Sequence, residues 1–283
     1  MATQRETMSA RSWLFAPGDS ERKMERAAAG PADIVIFDLE DAVEASRKAD
    51  ARRIVGEFLT APAPDGPRPQ RLLRVNPAQS HWFDDDLDLV RRLEGVDGIV
   101  LPKCEAREGV SALAAAAISR QVLPLLETPR GILNAASIAA AEPTIPALIF
   151  GAEDLTAELG IPRTIDGDEL IFPRSQVVLA AASAGADAID AVLIDITALD
   201  DLRRDARRGR ALGFTGKMAI HPSQVPVINE VFTPTAEETA RARRIVEAFD
   251  AAAATGEGVI RLDDRMVDMP VVARARKILR SSG

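Results

Sequence analysis

The chain has 283 residues, 47% of them hydrophobic and 28% charged, a composition that supports a sizeable core and argues against a disordered chain. With 35 basic and 43 acidic residues its formal charge is −8, and the absence of a long basic run excludes a nucleic-acid partner. A lone cysteine, Cys104, forbids an internal disulfide and suits a reducing compartment. Residues 1–10 are polar and lack a signal-like apolar stretch, and no run approaches the roughly 18 apolar residues of a membrane span. The expectation is therefore a cytoplasmic enzyme or binding protein with no membrane partner. There is no tyrosine, and the only histidines are His81 and His221, so acid–base chemistry must lean on carboxylates, Lys, Arg or a metal.

Short β-branched or leucine-rich runs alternate with longer Ala/Arg/Glu-rich stretches of helical period, the pattern of repeated βαβ units. In chain order the runs are 12–16, 33–38, 71–75, 98–101, 121–126, 147–151, 191–195 and 217–220. Helical patterns lie between them at 21–29, 48–59, 84–93, 109–117, 132–141, 174–184 and 198–212. Eight alternations predict an α/β fold whose parallel sheet closes on itself, a (β/α)8 TIM barrel. Residues 61–69 carry four prolines and read as a surface loop. Residues 160–173 form a long connection after strand six, for which a solvated loop and a lid are both open readings.

From Pro234 the rhythm stops. Residues 235–254 read as one long helix, opened by Thr235 with Glu238 three residues on, a capping-box pair. A turn with Gly256 and Gly258 follows, then Val267, Asp268, Met269 and Pro270 and a last helix. The expected organisation is a barrel domain over 11–233 and a C-terminal helical arm or cap over 234–283.

In barrels of this kind the chemistry sits at the C-terminal ends of the strands. Strand two runs into Asp38, Glu40 and Asp41, strand three ends at Arg74, strand four at Lys103, strand five at Glu127, strand six at Asp154 and strand eight at His221. Any one of these reads as a solvated loop charge, but their succession predicts one convergent polar mouth. Glu127 and Asp154 stand on adjacent strands, about 4.8 Å apart, so one cation can bridge them. Oxygen donors without a His/Cys cluster suit Mg²⁺. The alternative is a structural ion pair between Glu127 and Lys103. Arg74 ends an apolar strand and needs a partner, either a substrate oxyanion or Asp38 or Glu40 on the neighbouring strand. His221 reads as support for the mouth, and Cys104 as a small packed residue.

Several strings together resemble the citrate lyase β-subunit-like family of the HpcH/HpaI aldolase superfamily, which includes malyl-CoA and citramalyl-CoA lyases. They are residues 11–18 (RSWLFAPG), 37–43 (FDLEDAV), 74–76 (RVN), 101–103 (LPK), 126–128 (LET) with Asn134 and Ala135, 150–155 (FGAEDL), 213–224 (GFTGKMAIHPSQ) and 266–270 (MVDMP). The resemblance runs from Arg11 to about Leu279. Trp13 and Ala16 depart from the residues common in the first string, which points to altered thioester contacts.

The resemblance implies a Mg²⁺-bearing barrel that cleaves or forms 3-hydroxyacyl thioesters, assembled as a homotrimer or a hexamer. It implies that Glu127 and Asp154 hold Mg²⁺ and that Arg74 binds the 2-oxo acid and polarises the forming enolate. Asp268 is the implied acid/base, reaching a neighbouring subunit's mouth. Glu40 and Asp41 join Arg74 and Asp268 as candidate catalytic groups, and Lys103 joins Arg74 and Glu127 as a candidate substrate contact. Arg22 and Arg26, after the first strand, match basic positions of the family and would meet an anionic nucleotide tail, or they belong to a solvated helix face. Asp268 has a second reading as N-cap of the last helix. The expected partners are an acyl-CoA or carrier-protein thioester and a small 2-oxo acid. The rival functions are a citryl-thioester lyase subunit of a citrate lyase complex and a CoA-independent hydroxy-keto-acid aldolase.

Overall fold

The computed structural model describes residues 10–61, 68–117, 120–142, 145–254 and 256–281. It resolves two compact units, Met1–Glu230 and Val231–Gly283. Most of the proline-rich stretch, residues 62–67, lies outside the described residues.

The first unit is a closed barrel of eight parallel strands, β1 (Ser12–Pro17), β2 (Ile34–Asp38), β3 (Gln70–Arg74), β4 (Gly98–Leu101), β5 (Gln121–Leu126), β6 (Ala147–Phe150), β7 (Asp187–Asp190) and β8 (Gly216–Ala219). Each strand pairs with its sequence neighbour, and β8 returns to β1, with Ser12 opposite Lys217 and Leu14 opposite Ala219. Buried on both faces, most strands are continuous apolar runs, as in Ile34–Phe37. Trp13, Ile36, Leu72, Leu123, Ile149 and Met218 are among the side chains that fill the interior. Trp13 and Ala16 belong to this buried core, so the departures in the first string are core substitutions and not thioester contacts.

The outer helices present one apolar face inward. In α1 (Glu21–Ala28) Met24 and Ala27 are buried, while Arg22 and Arg26 face solvent. α2 spans Lys48–Thr60. α3 (Phe83–Arg92) has three aspartates in its first turn and two arginines in its last, matching the helix dipole at both ends. α4 spans Arg107–Ala116. The expected helix over 132–141 is two short ones, α5 (Pro129–Leu133) and α6 (Ala135–Ala139), with a break at Asn134. A helix, α7 (Glu153–Leu159), follows β6 directly, and the connection over 160–173 holds a 3-10 turn at Asp168–Leu170 and the start of α8 (Ile171–Ser183).

The seventh strand is Asp187–Asp190, one strand-length before the expected 191–195. The run Val192–Ile194 is more apolar, but Ile194 is exposed and the segment lies past the ladder. The strand instead uses Asp190, fully buried and neutralised by Arg174 and Lys217, which are fully buried themselves. A buried ion cluster supplied by α8 and β8 thus allows an acidic residue where an apolar one was expected. α9 (Leu199–Leu212) follows and stops at Gly213, whose φ of 115° is open to glycine. α10 (Val225–Phe232) follows, and the first unit's chain segment ends within it, at Glu230.

The second unit contains α11 (Ala236–Ala253), whose capping box is in place: Glu238 N donates to Thr235 Oγ1, and Thr235 N donates to Glu238 Oε2. An antiparallel hairpin, β9 (Ile260–Leu262) and β10 (Arg265–Val267), precedes α12 (Met269–Arg280). Phe249, Val267 and Val272 form this unit's core. No helix among the described residues is long and apolar enough to cross a membrane.

Candidate active site

Consecutive strand ends of the barrel bring the charged residues together. Arg74, at the end of β3, donates from Nε to Asp38 Oδ1 at 2.7 Å and from Nη2 to Asp38 Oδ2 at 2.6 Å. Its Nη1 lies 2.8 Å from Glu40 Oε2 and 3.9 Å from Asp41 Oδ2. The first of these is a Coulombic contact lacking hydrogen-bond alignment, which leaves Glu40 Oε2 without a hydrogen bond. Both partners weighed for Arg74 are therefore present. The guanidinium also sits 4.7 Å from the centre of the Phe15 ring. Two of its five N–H groups go to Asp38, so others stay available to a ligand.

Lys103, just past β4, donates from Nζ to Glu40 Oε1 at 2.5 Å and stands 3.7 Å from Asp41 Oδ1 and 3.7 Å from Asp154 Oδ1. Glu127 does not pair with that ammonium. It accepts the Lys103 backbone N–H at 2.8 Å. Asp154 lies in the first turn of α7 and is partly exposed. Arg74, Glu40, Asp41, Lys103, Glu127 and Asp154 thus form one cluster.

Positive charge is short at this mouth. Burial pushes the Glu127 carboxyl up to about 8; the Arg74 charge opposes the shift, and Glu40 and Asp154 add to it. Burial also raises Glu40, against the pull of Arg74 and Lys103. Asp38 goes the other way, because the Arg74 charge and its hydrogen bonds outweigh burial. A buried carboxyl beside further carboxylates, with the nearby arginine and lysine already engaged, is the donor set that a hard divalent cation satisfies. Among the described residues no group of three or more His, Cys, Asp or Glu is assembled to hold a metal. A cation here would rest on the Glu127–Asp154 pair and take its remaining oxygens from water or substrate, which is the habit of Mg²⁺. Gly151 keeps the space for this pair, since a Cβ there would lie 2.5 Å from Glu127 Cβ and 2.7 Å from Glu127 Oε2.

Three residues support the mouth, and two of them, Lys48 and Arg163, are not singled out by the sequence patterns. Lys48 is buried at the start of α2 and donates to the carbonyls of Leu39 and Glu40, both at 2.7 Å, which fixes the loop carrying Glu40. A lysine at a helix N-terminus opposes the dipole, and that misfit is the only trace it leaves in the sequence. Arg163 pairs with Glu153, next to Asp154, and donates to Val192 O at 2.8 Å, linking the loops after β6 and β7. Asn76 closes the RVN string by donating to Asp86 Oδ2 from both its backbone and side-chain nitrogens.

Among the described residues, the remaining candidates on the barrel share no side-chain hydrogen bond or ion pair with the cluster. His221 caps a short 3-10 turn, with Nδ1 2.7 Å from Ser223 Oγ. Cys104 is buried, and burial pushes its thiol up to about 12, so it is a packed residue. Arg22 and Arg26 take no part in the mouth's ion pairs among the described residues. Asp268 belongs to the second unit, where its Oδ1 accepts the Val271 N–H at 3.3 Å and caps α12. Its neighbours Met266 and Met269 are exposed.

The HpcH/HpaI aldolase/citrate lyase family matches residues 11–222. The citrate lyase subunit beta-like protein of Deinococcus radiodurans is 38% identical, covering 95% of this chain and 96% of the relative. The (3S)-malyl-CoA thioesterase of Cereibacter sphaeroides is 35% identical, covering 95% and 93%. The crystal structure of CitE from Mycobacterium tuberculosis in complex with magnesium, acetoacetate and coenzyme A superposes with a TM-score of 0.82 at 36% identity, covering 98% of this chain and 99% of that one. With a matched family across most of its length and relatives similar end to end, the chain belongs to the HpcH/HpaI aldolase/citrate lyase family of carbon–carbon lyases.

Proposed function

We propose that the chain is a Mg²⁺-dependent lyase that cleaves, or forms, a 3-hydroxyacyl-CoA thioester, giving an acyl-CoA and a 2-oxo acid. The observation that carries this reading is the Glu127–Asp154 pair at an acidic mouth, with the Glu127 carboxyl held near 8 by burial and its acidic neighbours. The likeness to CitE bound to magnesium, acetoacetate and coenzyme A supports it. When bound, Mg²⁺ supplies Lewis acidity toward the oxo acid's carbonyl and carboxylate oxygens.

The chain's own residues do the rest. Arg74, pre-oriented by Asp38 and Glu40, offers its remaining N–H groups to the oxyanion that develops on the oxo-acid side, a contact typically worth about 3 kcal/mol in the transition state. Lys103 balances Glu40 and Asp41 beside it. Asp268 moves the proton: in cleavage it takes the hydroxyl proton, or orients the water that does, and in synthesis it takes the α-proton of the acyl thioester. Arg22 and Arg26, exposed on α1, meet the phosphates of the thioester tail.

In this reading residues 11–233 carry the site and residues 234–283 act as a cap over another copy, within a homotrimer or hexamer in the cytoplasm. Its support is the distribution of exposed apolar side chains. In the described part of the first unit all the large ones fall between Leu133 and Ile220, with Ile165, Phe172 and Leu179 among the most exposed; in the second unit they are Val259, Met266 and Met269. Such surfaces mark interfaces.

Purified chain should release a 2-oxo acid from malyl- or citramalyl-CoA, lose that activity in excess chelator and regain it with Mg²⁺. Full activity in chelator would sink the metal assignment. Release of free coenzyme A and a hydroxy acid without oxo acid would favour hydrolysis, the activity named for the Cereibacter relative. Turnover only of a carrier-protein thioester would favour the citrate lyase subunit, and turnover of free hydroxy-keto acids would favour the CoA-independent aldolase.

A further inference from the structure

Lys103 differs from the other mouth residues in its backbone. Its φ is 47°, and among the described residues the only other non-glycine positions with positive φ are Asp263 and Asp264. A lysine in the left-handed region carries a steric cost that its surroundings must over-determine, and such costs collect at functional sites. Here the turn lets one residue address carboxylates on two sides. Its peptide N–H holds Glu127 Oε1, while its ammonium reaches Glu40 and faces Asp41 and Asp154. Bonded to Glu40 and facing Asp41 and Asp154, the ammonium places a positive charge at the edge of the Glu127–Asp154 pair.

Resting on the assignment of that pair as cation ligands, we propose that the Lys103 ammonium is an internal competitor of the divalent cation for the Asp154 side of the mouth. A divalent ion on Asp154 must approach a cation already 3.7 Å from that carboxylate, and the repulsion weakens its binding. An anionic oxo acid entering between them relieves the repulsion, so cation and anion bind with positive, reciprocal coupling. Lys103 thereby makes the site prefer the cation together with its substrate over the cation alone.

Mn²⁺ binding, followed by the electron paramagnetic resonance of the free ion with and without pyruvate, tests this independently of turnover. Lys103→Met should bind Mn²⁺ on the order of tenfold more tightly than wild type, and pyruvate should enhance that binding less. Lys103→Arg should stay near wild type in both measurements. Lys103→Gly keeps the peptide N–H and relieves the left-handed strain, so it should bind Mn²⁺ tightly and carry the test if Lys103→Met fails to fold. Unchanged or weaker Mn²⁺ binding in the charge-free variants, with Asp154→Asn abolishing binding, overturns the competition and leaves the metal pair standing. Wild-type Mn²⁺ binding in Asp154→Asn overturns both.

Discussion

One methyl group at position 151 tests how tightly the mouth is built. Gly151 follows β6 where the Glu127 side chain passes, with no room for a Cβ. Gly151→Ala is expected to cost about 1–3 kcal/mol, as overpacking does, and to displace the carboxylate. Differential scanning fluorimetry should show a lowered melting temperature and little further gain from Mg²⁺. A wild-type Mg²⁺ response would show that Glu127 is not confined there. Glu127 itself sets a pH dependence. Its carboxyl titrates near 8 in the folded chain against an ordinary value of 4.5. Between those values the folded state binds the extra proton, so the stability of chelator-treated protein should fall as pH rises from about 4.5 to 8. Glu127→Gln should flatten that slope in denaturant titrations across the window; a slope unchanged by the substitution would assign it to another group. The charges at the strand ends were legible from sequence because strand ends are where a barrel gathers them. Which atoms meet was not. The LPK string does not announce a left-handed lysine, and it hides that Glu127 is held by a peptide N–H while the ammonium goes to Glu40.

Among the elements, α12 separates two roles for one residue. Asp268 caps this helix through Val271 N, and the proposed chemistry also needs its carboxylate. Asparagine caps about as well as aspartate, whereas alanine loses about 1 kcal/mol. Asp268→Asn should therefore keep the wild-type melting temperature while losing most turnover, and Asp268→Ala should lose both. Retained turnover in Asp268→Asn would reduce the residue to a cap. Seven of the eight strands were legible within one or two residues, because most are apolar runs of the right length and all fall between helical patterns. The seventh was not: Asp190 looks like a loop residue until Arg174 from α8 and Lys217 from β8 are seen beside it. The hairpin β9–β10 was missed for a related reason. Its turn uses Asp263 and Asp264 at φ 49° and 58°, where asparagine and glycine are the usual markers.

For the whole molecule, the proposed cap makes each site depend on two chains. Arg74→Ala and Asp268→Asn proteins should each be nearly inactive, yet a mixture allowed to exchange subunits should recover part of the wild-type rate. Mixtures that exchange, as shown by native mass spectrometry, but never recover activity would place Asp268 over its own barrel or outside the chemistry. The same exposed apolar surfaces should make gel filtration report an assembly larger than one chain. Neither the partner face nor its stoichiometry was legible beyond the resemblance. Periodicity reveals which side of a helix is apolar, and for α8, with Phe172 and Leu179 outward, it does not say what lies against that side.

Closure of the barrel has a consequence for how the chain is made. Ser12 pairs with Lys217, so the first strand to leave the ribosome waits for the last one before its open edge is covered. Until then β1 presents unpaired backbone groups to any other nascent chain, the condition under which sheets aggregate. The second unit begins at Val231, after β8, and so emerges once closure is possible. Chains released at Gly213, before β8, should accumulate in the insoluble fraction. Chains released at Glu230 should stay soluble with the far-ultraviolet signature of a complete barrel. Equal solubility of the two would mean that the edge is protected during synthesis by something other than its own eighth strand.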